Sequence, residues 1–168
     1  GYASVLLGED LGSSNTIEKI VLTGTNEKTT LKITSSSGSL PFSIGTILCD
    51  SPLKAISAPQ AALTQEVNIP QSISKLLVGA VGDHAAFHLV SSNTTADTYK
   101  NGLKIYAGTI GQNVSFDITG RLQLFQADHY PSGTFTAQSI SRLAITNGNL
   151  GADLNVTDDL ENLVIPHG

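Results

Sequence analysis

One cysteine, no methionine, no tryptophan and only two arginines occur in 168 residues. Each shortage closes off a class of protein. Cys49, alone, forms no internal disulfide, so cysteine content argues neither for nor against secretion. Charged residues make up 14% of the chain, well under the roughly 25% of an average soluble domain. The net charge is −5, and Arg121 and Arg142 stand apart, so the sequence offers no run of cations to phosphate. Nucleic acid is therefore not an expected partner, and neither is an anionic membrane surface. No apolar run approaches the ~18–20 residues of a membrane-spanning helix, so membrane insertion is not expected. Aromatics are 5%, a poor stock of platforms for stacking on sugars. The helix formers Glu, Lys, Arg and Met are also scarce, which leaves little to build helices from.

Gly, Ser, Thr and Asn fill the space that charge leaves, beside 40% hydrophobic residues. Small polar residues compete for backbone hydrogen bonds in helices, and β-branched ones favour strands, so the composition predicts an all-β chain. The length suits one domain with a core of its own. A repeat runs through it. "IEKIVL" (17–22), "LKAISA" (53–58), "ISKLLV" (73–78), "ISRLAI" (140–145) and "LENLVI" (160–165) share one aliphatic template. Five alternating pairs are each followed, eleven residues on, by a second pair. Ile20/Leu22 leads to Leu31/Ile33, Ile56/Ala58 to Val67/Ile69, and Leu76/Val78 to Phe87/Leu89. Leu103/Ile105 leads to Val114/Phe116 and Leu143/Ile145 to Leu154/Val156, while Leu122/Leu124 reaches Phe135/Ala137 after thirteen. First pairs recur about every twenty residues, with longer steps near 34–52 and 91–102 that read as lateral insertions. Phe42/Ile44, eleven beyond Leu31/Ile33, marks a further layer inside the first of these.

Two half-buried strands per unit cannot cover their inner face alone, but stacked units can. The expected fold is a parallel β-helix, or β-solenoid, with coils of about twenty residues, formed by residues 1–168 as a single domain. The alternative is an antiparallel β-sandwich of many short strands. A sandwich gives no reason for an eleven-residue offset.

"ISRLAITNGNLGADLNVTDDLENLVIPHG" (140–168) resembles one and a half coils of the repetitive β-helical proteins of bacterial surfaces, including the filamentous-haemagglutinin type. "GNLGADLNVTDDLENLVI" is similar to the Gly/Asp-Leu turns of very large repetitive surface proteins. The resemblance covers 140–168 well, 53–90 less well and the insertions poorly. It implies a right-handed parallel β-helix serving as adhesin stalk, matrix fibre or surface layer, without a cofactor.

Few residues suggest chemistry. His84 and His88 stand four apart in "GDHAAFHL" and are candidate metal ligands, but on a strand that spacing separates them. In "ADHYPSG", Asp128, His129 and Tyr130 would suit a polysaccharide-cleaving site only if carboxylates lined up across coils, and none do. "GNLGADLNV" resembles a calcium-binding nonapeptide, with Asn155 where the buried aliphatic should stand. That leaves Asp153, Asp158 and Asp159 as a single candidate cation site. Asn93, Asn113 and Asn155 begin glycosylation acceptor triplets, and Asn93, on a predicted loop, is the most accessible. No catalytic residue and no cofactor is predicted.

"LENLVIPHG" is an apolar strand at the end of the sequence, and "YASVLLG" (2–8) reads as another near its start. Open strand edges template further pairing. The expected partners are thus a second copy or the rest of a longer polypeptide, joined through the terminal strands. The expected function is structural and non-enzymatic, extracellular or at the cell surface. A carbohydrate-binding or polysaccharide-degrading domain is the alternative, with a glycan as its partner.

Overall fold

The computed structural model describes residues 2–7, 16–35, 42–92 and 102–166, with the backbone alone described for 2–7. Among them the chain is all-β, with no helix. The strands are β1 (Tyr2–Leu7), β2 (Thr16–Thr23), β3 (Thr30–Lys32) and β4 (Phe42–Cys49). Next come β5 (Leu53–Leu63), β6 (Glu66–Val81), β7 (Ala86–Ser91), β8 (Leu103–Ile110) and β9 (Val114–Ala127). The last are β10 (Gly133–Ile140), β11 (Leu143–Ile145), β12 (Asp153–Val156) and β13 (Leu163–Val164).

Every ladder between these strands is parallel except β1 on β2. The antiparallel sandwich is therefore not the fold. β6 and β9 run 16 and 14 residues, long enough for each to serve two partners in turn. β6 meets β7 along Glu66–Ile73 and β8 along Lys75–Val81, while β9 meets β7 along Ser115–Thr119 and β8 along Leu122–Gln126. The four strands β6, β7, β9 and β8 thereby close a parallel barrel, with the remaining strands outside it.

The register sets apolar side chains in columns. One runs Leu31, Ile56, Leu76, Ile105, Phe125, Leu143 and Leu163 as successive Cα partners. Ile56, Leu76 and Leu143 thus share one parallel column, as the repeat requires. A second runs Ile20, Ile47, Val67, Phe87, Phe116, Phe135 and Leu154. A third links Ile17, Ile44, Leu63, Val81 and Ile110, and Tyr130 pairs onward with Leu150. Val67 to Phe87 and Ile56 to Leu76 each advance by twenty residues, so the period read from the sequence is the stacking period.

Three expectations need correction. Ile20 does not belong with Ile56: it sits in the second column, and Leu31 pairs with Ile56 instead. The eleven-residue offset there runs from the second column to the first, the reverse of the others. Leu124 does not stack on Ile105, because a bulge between Leu103 and Lys104 moves Ile105 onto Phe125 and leaves Leu124 beside Lys104. Each unit has three apolar sides, not two; the third was hidden because Leu63, Val81 and Tyr130 end strands or follow turns. Within the expected insertion at 34–52, β4 supplies Ile44 and Ile47 to two columns, while 36–41 lie outside the described residues. Residues 93–101 of the second insertion, with Asn93, also lie outside them.

Five aromatics fill the centre. Phe116 stacks on Phe87 at 4.4 Å between ring centroids and meets Phe125, Phe135 and Tyr130 within 5.9 Å. Such edge and offset contacts add to the burial of the rings themselves. Five of the nine aromatics are thus spent on the interior. At Gly133 the backbone has φ +127°, and a Cβ would run into the Val114 carbonyl of the neighbouring strand. Only glycine lets β10 begin that close to β9.

Candidate functional site

The surface feature that stands out is an edge. β12 pairs only with β10 and β13 only with β11, so both leave their outer sides without a strand partner among the described residues. Leu160, bridged to Ile140, lies on the same edge. Leu160, Leu163, Val164 and Ile165 are 39%, 45%, 36% and 40% exposed, and are the large exposed hydrophobics of the described residues. Their positions explain this. Leu163 pairs with Leu143, which is fully buried because Leu163 covers it, but nothing described covers Leu163. Leu150, Leu154 and Val156 are half-buried on the same side. Unpaired backbone groups and exposed aliphatic side chains therefore occur together on this edge.

A charged anchor holds this last layer. The Arg121 guanidinium is 6% exposed, donates to Ser141 Oγ at 2.8 and 3.1 Å, and pairs with Glu161 at 2.5 Å. Arg121, Ser141 and Glu161 follow one another at twenty-residue intervals, so one side chain ties three layers together. A buried charge is tolerated when paired and hydrogen-bonded, and losing one partner is costly. Sequence reasoning missed this group. Its signal was the shared spacing, which is legible only once the period is fixed.

The residues singled out from sequence are scattered. His84 lies in a turn at φ 60°, and His88 projects from β7 toward Asp117 at 3.7 Å, with both side chains of that pair exposed. Asp153 is on β12, and Asp158 and Asp159 follow it on the exposed turn. No group of three or more His, Cys, Asp or Glu side chains that could hold a metal ion occurs among the described residues. Asp128 accepts hydrogen bonds from Thr146 Oγ1 at 2.9 Å and Asn147 Nδ2 at 3.2 Å, which fastens one turn to the next. Tyr130 is not an exposed turn residue but part of the core, its hydroxyl bonded to the Val114 and Thr134 carbonyls at 2.7 and 2.8 Å. Burial pushes its phenol well above the usual tyrosine range. Asn113 and Asn155 are both exposed.

One shallow depression of about 350 Å³ lies on the outer side of the second column, between Val21, Leu48, Asp50 and Pro70, with Cys49 behind it. The Cys49 thiol is buried and contacts the Ser51 carbonyl at 3.1 Å. Apolar side chains line most of the depression. Comparison with protein-family models, with curated proteins and with solved structures finds no match to this chain.

Proposed function

We propose that the chain is a β-solenoid with a structural, non-enzymatic role outside the cell, as part of a fibre, surface layer, stalk or adhesin. Its open edge is continued by another parallel layer, from a second copy or from more of the same polypeptide. The observation that carries this reading is the exposure of Leu160, Leu163, Val164 and Ile165 at an unpaired parallel edge, with Leu163 in register with the buried column. An apolar, flat, unpaired edge is a template for strand addition. The parallel ladders over successive units of about twenty residues support the solenoid. Low charge and the abundance of Gly, Ser, Thr and Asn support an extracellular setting.

The two edges are not equivalent. β1 pairs with β2 antiparallel and covers it, whereas β3 at the same end pairs only with β5 among the described residues, so one parallel strand stays open there to receive the β12–β13 edge of another copy. The test is sedimentation velocity with negative-stain microscopy over a range of concentrations, comparing the wild-type chain with Leu163→Lys. Wild type should form rods or larger species as concentration rises, and Leu163→Lys should not. A wild-type chain that stays a single monodisperse species throughout overturns the assembly reading.

A further inference from the structure

The lysines are spread thinly along the sequence, and the fold collects them. Lys32 on β3, Lys54 on β5, Lys75 on β6 and Lys104 on β8 fall in four consecutively paired strands. Ala55 is the partner of Lys75, so Lys54 stands one residue off its row, and Lys32, the partner of Ser57, stands two residues off on the other side. Lys75 and Lys104 are direct Cα partners. Arg142 stands just before β11, on the same side. Lys32, Lys54, Lys75 and Arg142 are exposed and Lys104 is half-buried. None of the five forms an ion pair among the described residues.

Acids are missing from this side. The stretches 30–32, 53–58, 73–78, 103–107, 122–127 and 143–145 contain no Asp or Glu, in a chain with 14 acids and 9 Lys and Arg residues. Like charges directly opposed on neighbouring strands repel. An arrangement that places Lys75 against Lys104 with no counter-ion between them is one that an external anion relieves. The Lys75 ammonium also lies 5.3 Å from the centre of the Tyr106 ring, and Tyr106 pairs with Leu77, so a half-buried apolar patch flanks the cations.

We propose that this strip binds a linear acidic polysaccharide laid along the stacking direction, with one anionic group near the lysine of each layer. Neighbouring strands lie about 4.8 Å apart, comparable with the length of one sugar unit in an extended glycan, so the stacked pair Lys75 and Lys104 matches two successive charges of such a polymer, with Lys54 close to the same line. The apolar patch formed by Leu77 and Tyr106 faces sugar rings while the lysines face their anionic substituents. A nucleic-acid duplex or a bilayer fits less well. Both are wider than the strip, and the chain around it carries acids, with Asp50 shortly before β5 and Asp128 just after β9. Nucleic-acid interfaces further favour arginine forks, and this strip has one arginine. The inference is independent of whether the β12–β13 edge is extended.

The test is binding of polygalacturonate, with neutral dextran, single-stranded DNA and phosphatidylserine vesicles as comparisons, at low and at physiological salt. Wild type should bind polygalacturonate in preference to the other three, more weakly as salt rises. The double variant Lys75→Gln/Lys104→Gln should bind about tenfold more weakly, since two exposed charge contacts are lost. Lys19→Gln, on β2 away from the strip, should bind as wild type does. Matched thermal unfolding would show that the variants remain folded. No binding to polygalacturonate, an equal loss in Lys19→Gln, or tighter lysine-dependent binding to DNA or vesicles overturns the assignment.

Discussion

Leu143 and Leu163 are the same residue type, paired as Cα neighbours in one column, yet Leu143 is fully buried and Leu163 is 45% exposed. The same truncation at the two sites therefore separates the column from its end. Leu143→Ala removes a side chain packed between Phe125 and Leu163, and buried leucine truncations cost about 2–5 kcal/mol in lost transfer energy and residual cavity. Leu163→Ala forfeits only part of a transfer term, at an edge free to collapse, and should cost under about 1 kcal/mol. The expected difference is at least about 1 kcal/mol, and about 2–3 kcal/mol for a mid-range Leu143 cost, with identical chemistry. In a chain of this length that is a gap in melting midpoint of about 4–12 °C. Denaturant and thermal unfolding followed by circular dichroism at low concentration would measure it. Equal costs at the two positions would refute the column. If copies stack, the cost at Leu163 should grow with protein concentration, because a partner then buries what the isolated chain exposes.

Two further substitutions probe other parts of the same packing. Tyr130 stays protonated in the folded chain beyond pH ~10, where an unfolded tyrosine ionises, so only the unfolded state gains from losing that proton. Its contribution is whole below that pH and falls above it by up to about 1.4 kcal/mol per pH unit. Tyr130→Phe should begin about 1 kcal/mol less stable, having lost the bonds to Val114 and Thr134, and should show a shallower alkaline slope in denaturant midpoints; equal slopes would exclude the buried phenol. Gly133→Ala forces a side chain onto the Val114 carbonyl at φ +127° and should cost more than about 2 kcal/mol. Gly82→Ala, with ordinary φ and its nearest neighbour at 3.2 Å, should cost clearly less in the same unfolding assay.

The all-β class, the twenty-residue period and most of the first column were legible because alternation and recurrence are properties of the sequence alone. Ile56 and Leu76 pair as their matching templates imply. Phase was harder. Ile20/Leu22 looks like a first pair, and nothing local distinguishes it from one; only its partner Ile47, across a step of 27 residues, shows that it belongs to another side. The third side escaped because a corner residue such as Tyr130 stands in the turn-like stretch "ADHYPSG", where Asp, Pro and Gly imply exposure while the side chain points inward. The bulge at Leu103 has no sequence mark at all. Among candidate residues, Leu163 and its neighbours were visible as an apolar strand, whereas the lysine strip was not. Lys54, Lys75 and Lys104 are 21 and 29 residues apart, and the longer step contains residues that break the period.

Sequence separation in this architecture is a poor guide to chemistry, and column membership is a good one. His84 and His88 are four apart yet occupy a turn and a strand face, while Arg121 and Glu161, forty apart, form an ion pair. A short motif rarely builds a site here, because neighbouring residues point to opposite sides or turn a corner. Rows build sites instead: one position, repeated in each layer, places like groups a strand spacing apart. A row of aliphatics becomes core, a row ending in open space leaves an exposed edge, and the stacked pair Lys75 and Lys104 is the centre of the proposed anion track. The cations lie on the strands of the first column, the side that ends at Leu163, but edge growth and polymer binding use different residues of it. Copies that stack at the edge would add further cationic patches along one side, so the affinity of a long acidic glycan should rise with the length of the assembly.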